Sequence, residues 1–302
     1  MSIRAALISF LMRRTVKAQL ENIGDDVPAF RERMNSANGL MPKLPKDALV
    51  DKVDVEGVPC EWVSADGADS HRVLMYLHGG GYVFGGFDSH RDLAWRLSNA
   101  SGMRVLLVDY RLAPEHPFPA ALEDATACYR WLLAEGYKPG QIVIGGDSAG
   151  GGLTLSTMVN LKNLGVEQPA GAILLSPWLD MTGSGSSVAA NAKADAMLSP
   201  VSLDSFARFY LGELDRKAPL ASPLFADLAG LPAMLVHVGS TEILLSDAQR
   251  LVENVQNAGG EIALDVWPKM PHVFQLFSGR IPEGKVAIEQ LGQFIQNRTA
   301  AA

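Results

Sequence analysis

The chain has 302 residues, of which 48% are hydrophobic and 20% are charged, and its formal net charge is −7 at pH 7. This composition is that of an ordinary globular protein, so it excludes a disordered or collagen-like chain. The negative charge excludes the basic surface that nucleic-acid binding requires, and at roughly 150 residues per domain the length predicts about two domains.

The first 45 residues contain two helical patterns and no strand pattern. Their opening apolar stretch is interrupted by Ser9 and runs into Arg13 and Arg14 with no small-residue cleavage site behind them, which is unlike a secretory signal. No apolar run in the sequence approaches the roughly 18 residues of a membrane-spanning helix. We therefore expect a soluble, cytoplasmic protein with no stable membrane insertion.

From residue 51 onward, short apolar runs alternate with longer helical patterns. Two small strands, Val53–Val55 and Cys60–Val63, are predicted first. The stronger predicted strands are Val73–Leu77, Val105–Asp109, Ile142–Gly145, Ala172–Leu175, Met234–Val238 and Ile262–Trp267. Helical patterns lie near 88–100, 120–135, 149–164, 246–258 and 284–297. Because the stronger strands carry Val, Ile and Leu on both faces, we predict an α/β fold in which a mostly parallel sheet is buried between helices.

Residues 181–225 interrupt this alternation. They begin with the flexible run Thr182–Ser187 and continue through a helical pattern near 202–212. An insertion at the carboxyl end of a parallel strand lies where such sheets bind their ligands. We therefore predict a cap over a binding site, with ordinary surface helices as the alternative.

The pentapeptide Gly146–Gly150 (GDSAG) follows the predicted strand Ile142–Gly145 and precedes a predicted helix. This is the G-x-S-x-G nucleophile elbow in its strand–turn–helix context. The flanking glycines leave room for a tight turn that exposes the Ser148 oxygen at a helix N-terminus, where developing negative charge is favoured. A phosphate-binding loop is disfavoured because no Lys follows the glycines. Ser148 is therefore the predicted nucleophile.

The tetrapeptide His78–Gly81 (HGGG) directly follows the predicted strand Val73–Leu77. Acyl transfer needs N–H donors aimed at the oxyanion of the tetrahedral intermediate, and consecutive glycines let the backbone approach it closely. A loop of this kind supplies one half of an oxyanion hole, and the N–H after the nucleophile supplies the other. We predict that the donors are the N–H groups of Gly80, Gly81 and Ala149; the alternative is a plain flexible loop.

A general base should follow the nucleophile, because the chain order with this elbow is Ser, then Asp or Glu, then His. His272 comes shortly after the strand that ends at Trp267, and it is the predicted base. The other histidines are disfavoured. His78 and His116 precede the nucleophile, His237 lies inside a strand, and we expect His71 and His90 to be solvent-exposed in polar segments.

The carboxylate that orients the base has two candidates after the strand Met234–Val238. Glu242 is three residues past Gly239, on the loop at the strand end where this carboxylate belongs. Asp247 lies farther along and is expected to cap or begin the next helix. We therefore predict that Glu242 accepts from Nδ1 of His272 and fixes its tautomer.

Several large apolar side chains are candidates for an acyl pocket, with core packing as an equally open alternative for each: Tyr82, Phe84, Trp178 and Phe206.

Taken together, these motifs resemble the GDSAG subgroup of the bacterial hormone-sensitive-lipase family of α/β-hydrolase carboxylesterases. The resemblance rests on five places in the chain: His78–Gly86 (HGGGYVFGG), Asp109–Ala121 (DYRLAPEHPFPAA), Gly146–Gly151 (GDSAGG), Ser176–Asp180 (SPWLD) and His272. It implies an eight-stranded hydrolase sheet and a helical cap made of an N-terminal segment plus an insertion. These would be 1–45 and 181–225, with the catalytic domain at 46–180 and 226–302.

The sequence departs from this family at the carboxylate. Many members have an Asp-Pro-Leu-Arg-Asp-type stretch, where this chain has Glu242-Ile-Leu-Leu-Ser. Aligning on the preceding Gly puts Glu242 at the acid position, and either type of carboxylate can orient a His. Family members often dimerise through the edge strand, so the resemblance implies Ile262–Trp267 as a candidate homodimer interface.

The resemblance also implies activity on small esters with short-to-medium acyl chains, without a metal or organic cofactor. The expected reaction proceeds through an acyl-enzyme on Ser148. One alternative is a non-catalytic ligand receptor on the same fold, as in the plant gibberellin receptors; such receptors lack the catalytic His, whereas His272 is present here. Another is an amidase or peptidase, because the same triad serves both bonds.

Overall fold

The computed structural model describes residues 1–38 and 44–299. Its eight strands are β1 (Leu49–Val55), β2 (Val58–Ser64), β3 (Asp69–Leu77), β4 (Met103–Val108), β5 (Ile142–Asp147), β6 (Gly171–Leu175), β7 (Met234–Gly239) and β8 (Ile262–Trp267). They form one sheet in the order β1-β2-β4-β3-β5-β6-β7-β8. The pairs β1–β2 and β2–β4 are antiparallel, and all the others are parallel. The predicted α/β-hydrolase fold, with a mostly parallel eight-stranded sheet, is therefore confirmed.

Ten α-helices accompany the sheet in the described part of the chain. They are α1 (Ile3–Arg14), α2 (Val16–Glu21), α3 (Val27–Asn38), α4 (Phe87–Ser101), α5 (Ala120–Ala134), α6 (Ala149–Asn163), α7 (Ser186–Ala190), α8 (Pro200–Leu211), α9 (Leu245–Asn257) and α10 (Pro282–Thr299). Short 3₁₀ turns lie at Pro139–Gln141, Pro223–Phe225 and Phe274–Phe277.

The two faces of the sheet are covered by different helices. Met75 and Leu77 of β3 belong to one buried apolar cluster with residues of α5 and α6. The alternate residues Leu74 and Tyr76 belong to another with residues of α4 and α10. Because successive side chains of a strand point to opposite faces, a strand covered on both faces must be apolar at every position. The last five residues of β3 and all residues of β5, β6 and β7 are buried accordingly.

The strand β8 departs from this expectation. It is at the edge of the sheet, as predicted, but the prediction that it is buried was wrong, because its residues are half-buried or exposed and Val266 is 40% exposed. An edge strand has a neighbour on one side only, so less of its surface is covered. The homodimer through this edge stays a prediction.

The segments 1–38 and 181–225 lie together. The ammonium of Lys17 in α2 donates to the carbonyls of Ala192 and Asp195, at 2.7 and 2.9 Å. Arg208 of α8 lies 3.5 Å from Asp25. Of the expected N-terminal segment 1–45, residues 39–43 lie outside the described residues. Within residues 1–38 and 44–299, no helix is long and apolar enough to cross a membrane.

Candidate active site

Ser148 sits at the sharp turn between β5 and α6, with a left-handed φ of +53°. Such a φ is uncommon for a residue other than glycine and is held here by hydrogen bonds on both sides of the residue. The Ser148 N–H donates to the carbonyl of Leu175 at 2.8 Å, and the Ser148 carbonyl accepts from the N–H of Trp178 at 2.9 Å. The turn presents the Ser148 side chain to a cavity at the carboxyl edge of the sheet.

The glycines that flank Ser148 are required by close contacts between backbone segments. A Cβ at Gly146 would lie 2.4 Å from the carbonyl oxygen of Gly150. A Cβ at Gly150 would lie 2.0 Å from the carbonyl oxygen of Leu77, the last residue of β3. The elbow is therefore packed directly against the start of the HGGG loop.

The HGGG loop approaches the same cavity with a backbone that only glycine adopts easily. Gly80 and Gly81 have φ values of +122° and +62°, and Gly79, Gly80 and Gly81 all line the cavity. A Cβ at Gly80 would lie 1.9 Å from the carbonyl oxygen of Phe84. Ala149 is the first residue of α6, where a helical N–H has no partner within the helix. The three predicted oxyanion donors thus lie on the two segments that meet beside Ser148.

His272 and Glu242 form a buried pair at this cavity. Nδ1 of His272 is 2.6 Å from Oε2 of Glu242, and their side chains are 1% and 0% exposed. Burial lowers the pKa of His272, but the hydrogen bond and charge of Glu242, with smaller contributions from Asp195 and Asp147, raise it more. The net pKa of His272 is therefore above its ordinary 6.5. His272 lines the cavity together with Ser148.

The second oxygen of Glu242 is held by a residue that the sequence analysis did not assign. Oε1 accepts from the hydroxyl of Ser176 at 2.8 Å and from the N–H of Gly239. The same hydroxyl oxygen accepts from the N–H of Val273, beside His272, at 3.2 Å. Ser176 follows β6 and belongs to the SPWLD stretch, which served only to support the resemblance. Its polar side chain directly after a buried strand was the signal that could have identified it.

Asp247 does not reach the histidine. Its Oδ2 accepts from the N–H groups of Leu179 and Asp180, at 3.0 and 3.1 Å. Burial raises the pKa of Asp247 to about 7. Its place in the first turn of α9 is the one expected for a helix-start residue.

The carboxylate of Asp147, inside the GDSAG motif, bonds the backbone of the HGGG loop. Its Oδ1 accepts from the hydroxyl of Tyr76 at 3.0 Å and from the N–H of Gly79 at 3.1 Å. Nε2 of His90 lies 3.2 Å from the same oxygen. The prediction that His90 is solvent-exposed was wrong, because it is 4% exposed. Burial raises the pKa of Asp147, but the charge and hydrogen bond of His90 and the Tyr76 hydroxyl lower it below its ordinary value.

The cavity has a volume of about 130 Å³ and is lined mainly by apolar side chains. They come from the sheet side and from both outer segments: Met12, Val16, Leu20, Met34, Phe84, Trp178, Met197, Leu198, Leu203, Phe206, Val273, Leu276 and Phe277. Three of the four predicted pocket residues, Phe84, Trp178 and Phe206, are among them. Tyr82 lies outside this lining, since it is buried and stacked on Tyr210 at 3.7 Å between ring centroids. The structure therefore favours core packing over a place in the pocket for Tyr82.

This arrangement joins a hydroxyl at a helix N-terminus, a carboxylate-bound imidazole and a glycine loop at one apolar cavity. These are the components of nucleophilic acyl transfer. Over the described ranges, no cluster of three His, Cys, Asp or Glu side chains that could hold a metal ion is present.

Comparison with known proteins gives a consistent result. Residues 74–276 match a family model described as the alpha/beta hydrolase fold. An acetyl-hydrolase of Streptomyces hygroscopicus is 42% identical over 249 residues, which are 82% of this chain and 83% of that protein.

Two solved structures are similar over nearly the whole chain. A crystal structure of an esterase from the bacterial hormone-sensitive lipase family has a TM-score of 0.90 at 44% identity and covers 96% of this chain and 98% of that one. The crystal structure of EstE5 soaked with p-nitrophenyl butyrate has a TM-score of 0.92 at 40% identity and covers 99% of this chain and 100% of that one.

Proposed function

The chain belongs to the bacterial hormone-sensitive-lipase family of α/β-hydrolase esterases and is a carboxylic ester hydrolase, and from this premise we propose that it works through a Ser148–His272–Glu242 triad. The observation that carries the proposal is the buried 2.6 Å pair of His272 and Glu242 at the cavity that Ser148 also lines. With relatives of this kind, the enzyme is favoured over the non-catalytic receptor.

In the first step, the Ser148 oxygen attacks the ester carbonyl carbon, and His272 takes the Ser148 proton on Nε2. Glu242 accepts the hydrogen bond from Nδ1, which fixes the tautomer and stabilises the imidazolium that forms. The carbonyl oxygen becomes an oxyanion and accepts from the N–H groups of Gly80, Gly81 and Ala149. These donors belong to backbone that is already held in place, so they need not reorganise as the charge develops.

The tetrahedral intermediate then collapses, and the bond to the alcohol oxygen breaks. His272 gives its proton to the departing alcohol, and Ser148 remains acylated. A water molecule gives a proton to His272 and attacks the acyl carbon. Collapse of the second intermediate releases the acid and returns the proton to Ser148.

The cavity supports a preference for short acyl chains. Its volume of about 130 Å³ is well below the roughly 300–1,000 Å³ of pockets for drug-sized ligands. Met12, Val16, Met197 and Phe206 bring both outer segments to its wall, which supports the assignment of 1–45 and 181–225 as the two parts of a cap. The crystal of the relative EstE5 was soaked with p-nitrophenyl butyrate, which is a short acyl ester of the kind we propose as substrate here.

The test is a rate profile over p-nitrophenyl esters of increasing acyl length, with a fluorophosphonate probe for an activated serine. We expect the highest kcat/KM with short acyl chains and stoichiometric labelling of the wild type. Ser148→Ala should abolish labelling and lower turnover by about 10⁴-fold or more. Turnover of Ser148→Ala within tenfold of wild type would refute the nucleophile assignment. Matched ester and anilide substrates decide between ester and amide hydrolysis.

A further inference from the structure

Three side chains of the insertion hold the backbone that immediately follows Glu242. The amide nitrogen of Asn191 donates to the Glu242 carbonyl at 2.8 Å. The carboxylate of Asp195 accepts from the Ile243 N–H at 2.8 Å. The hydroxyl of Ser187 donates to the Ile243 carbonyl at 2.6 Å. The Glu242 carbonyl, the Ile243 N–H and the Ile243 carbonyl are consecutive polar groups of the backbone. The three residues that bond them are spaced four apart in the insertion.

We propose that Ser187, Asn191 and Asp195 form a clamp that positions the carboxylate of Glu242 for catalysis. The proposal rests on the proposed triad, because it assigns the clamp a role in the reaction only if Glu242 orients His272. The insertion would then have a second task beside covering the cavity. The three clamp residues are positioning residues, since the contacts described for them are with backbone and with Ser246 rather than with Ser148 or His272.

The clamp fixes one peptide group at both of its ends. Asn191 holds the C=O and Asp195 holds the N–H of the peptide that joins Glu242 to Ile243. A peptide group is planar, so holding both ends prevents the plane from rotating. Rotation of that plane would turn the Glu242 Cα and move its side chain away from His272. Misplacement of a catalytic group by 1 Å can cost about 100-fold in rate.

Asp195 is the charged member of the clamp and also reaches the cavity wall. Its other oxygen accepts from the N–H groups of Met197 and Leu198, at 2.8 and 2.9 Å, and both of these residues line the cavity. Asp195 is 1% exposed. One buried carboxylate therefore connects the wall that would contact the acyl chain to the loop that carries Glu242.

The N-terminal helices support the clamp from outside. Arg13 donates to the carbonyls of Lys193 and Ala194, at 2.9 and 2.8 Å. Lys17 donates to the carbonyls of Ala192 and Asp195. These four carbonyls are consecutive and belong to residues 192–195, so they directly follow Asn191 and include that of Asp195. Both outer segments are thereby linked to the position of Glu242.

The experiment measures kcat and KM of the full-length protein with a short p-nitrophenyl ester. We expect Asn191→Ala to lower kcat by about 10-fold to 100-fold, with KM within about threefold, because it frees the peptide group without altering the cavity wall. Asp195→Asn should lower kcat at least as much. Both oxygens of Asp195 accept from backbone N–H groups, so the N–H₂ group of an asparagine amide would face an N–H donor whichever way the amide is turned. The control is Ser222→Ala, in the same insertion, because Ser222 is fully buried and its hydroxyl bonds backbone groups of Met181 and Arg216.

The pH profile of kcat/KM separates the effect of the Asp195 charge on His272 from the effect of the hydrogen bonds that the clamp makes. The charged groups that act on His272 are Glu242, Asp195 and Asp147, and all three favour its protonated form. Asp195→Asn removes one of these charges, so the acid limb should move to lower pH. Asn191→Ala removes no charge and should leave the limb in place.

Two outcomes would overturn the clamp. One is that both clamp variants keep kcat within twofold of wild type while Ser148→Ala is inactive, a result that leaves the triad intact. The other is that Ser222→Ala loses as much kcat as Asn191→Ala, which would show that any buried hydrogen bond of the insertion has the same effect. Activity in Ser148→Ala would instead refute the triad itself.

Discussion

Ser148 and Glu242 follow two strands of the same sheet, β5 and β7, and residues distant in sequence bond both loops, but only the Ser148 turn also requires particular residues close to it in the sequence. The turn at Ser148 is shaped by glycines two residues away on each side, because a Cβ at either would overlap with neighbouring backbone. The loop at Glu242 is held from residues far away in sequence. Ser176 and Asn191, which bond its side chain and its carbonyl, are 66 and 51 residues away.

This difference explains why the two sites are unequally visible in the sequence. A local turn leaves a local pattern, so GDSAG after an apolar run predicts both the elbow and its chemistry. A loop held by distant side chains leaves no pattern around itself. Its partners are common Ser, Asn and Asp residues whose importance depends on the fold. Substitutions in the two loops should therefore reduce enzymatic activity in different ways.

After the loss of Ser148 itself, the largest effect is expected from removing the carboxylate of Glu242. Glu242→Ala should lower kcat by about 10⁴-fold, because His272 loses the group that fixes its tautomer. Asp247→Ala should cost far less activity, since Asp247 bonds the backbone of Leu179 and Asp180 and not the histidine. Steady-state kinetics of the two purified variants checks this ranking. If Asp247→Ala were the more damaging change, the role of orienting His272 would pass to Asp247.

The strands of the sheet were predictable from sequence because they depend on local patterns. The predicted strand Ile262–Trp267 agrees with β8 at both ends, and the helix predicted at 120–135 is α5 to within one residue. In contrast, the burial of His90 against Asp147 depends on contacts between residues 57 apart in sequence. A polar sequence neighbourhood predicts exposure, whereas a buried carboxylate partner compensates for burying the imidazole.

A smaller loss of activity is expected when one methyl group is added close to the nucleophile, at Gly150. Gly150→Ala forces its Cβ against the Leu77 carbonyl at the start of the HGGG loop. The strain should displace Ser148 relative to the oxyanion donors and lower kcat by about 100-fold. Fluorophosphonate labelling rates per folded molecule measure this displacement directly.

The matched control for that substitution is Gly292→Ala in α10. Its Cβ would lie 2.6 Å from the backbone of Ala100, a clash of the same type remote from the cavity. Both variants should lose thermal stability, and only Gly150→Ala should lose activity per folded molecule. Equal labelling rates in the two variants would mean that the packing of the elbow on β3 does not position Ser148.

The smallest effect is expected from substituting Asp247, and it is a change in the pH dependence of the free energy of unfolding. Its pKa in the folded protein is raised to about 7 by burial, from an ordinary 3.8. The folded state therefore keeps a proton that the unfolded chain has released, and its contribution to stability is lost as the pH rises from about 4 to about 7. Asp247→Asn keeps an oxygen acceptor for the Leu179 and Asp180 N–H groups and carries no charge. The free energy of unfolding of this variant, measured by urea titration from pH 5 to pH 8, should decline less with rising pH than that of wild type. Parallel curves would mean that Asp247 is ionised in the folded protein throughout this range, so that the backbone N–H groups and the charge of Arg250 compensate its burial.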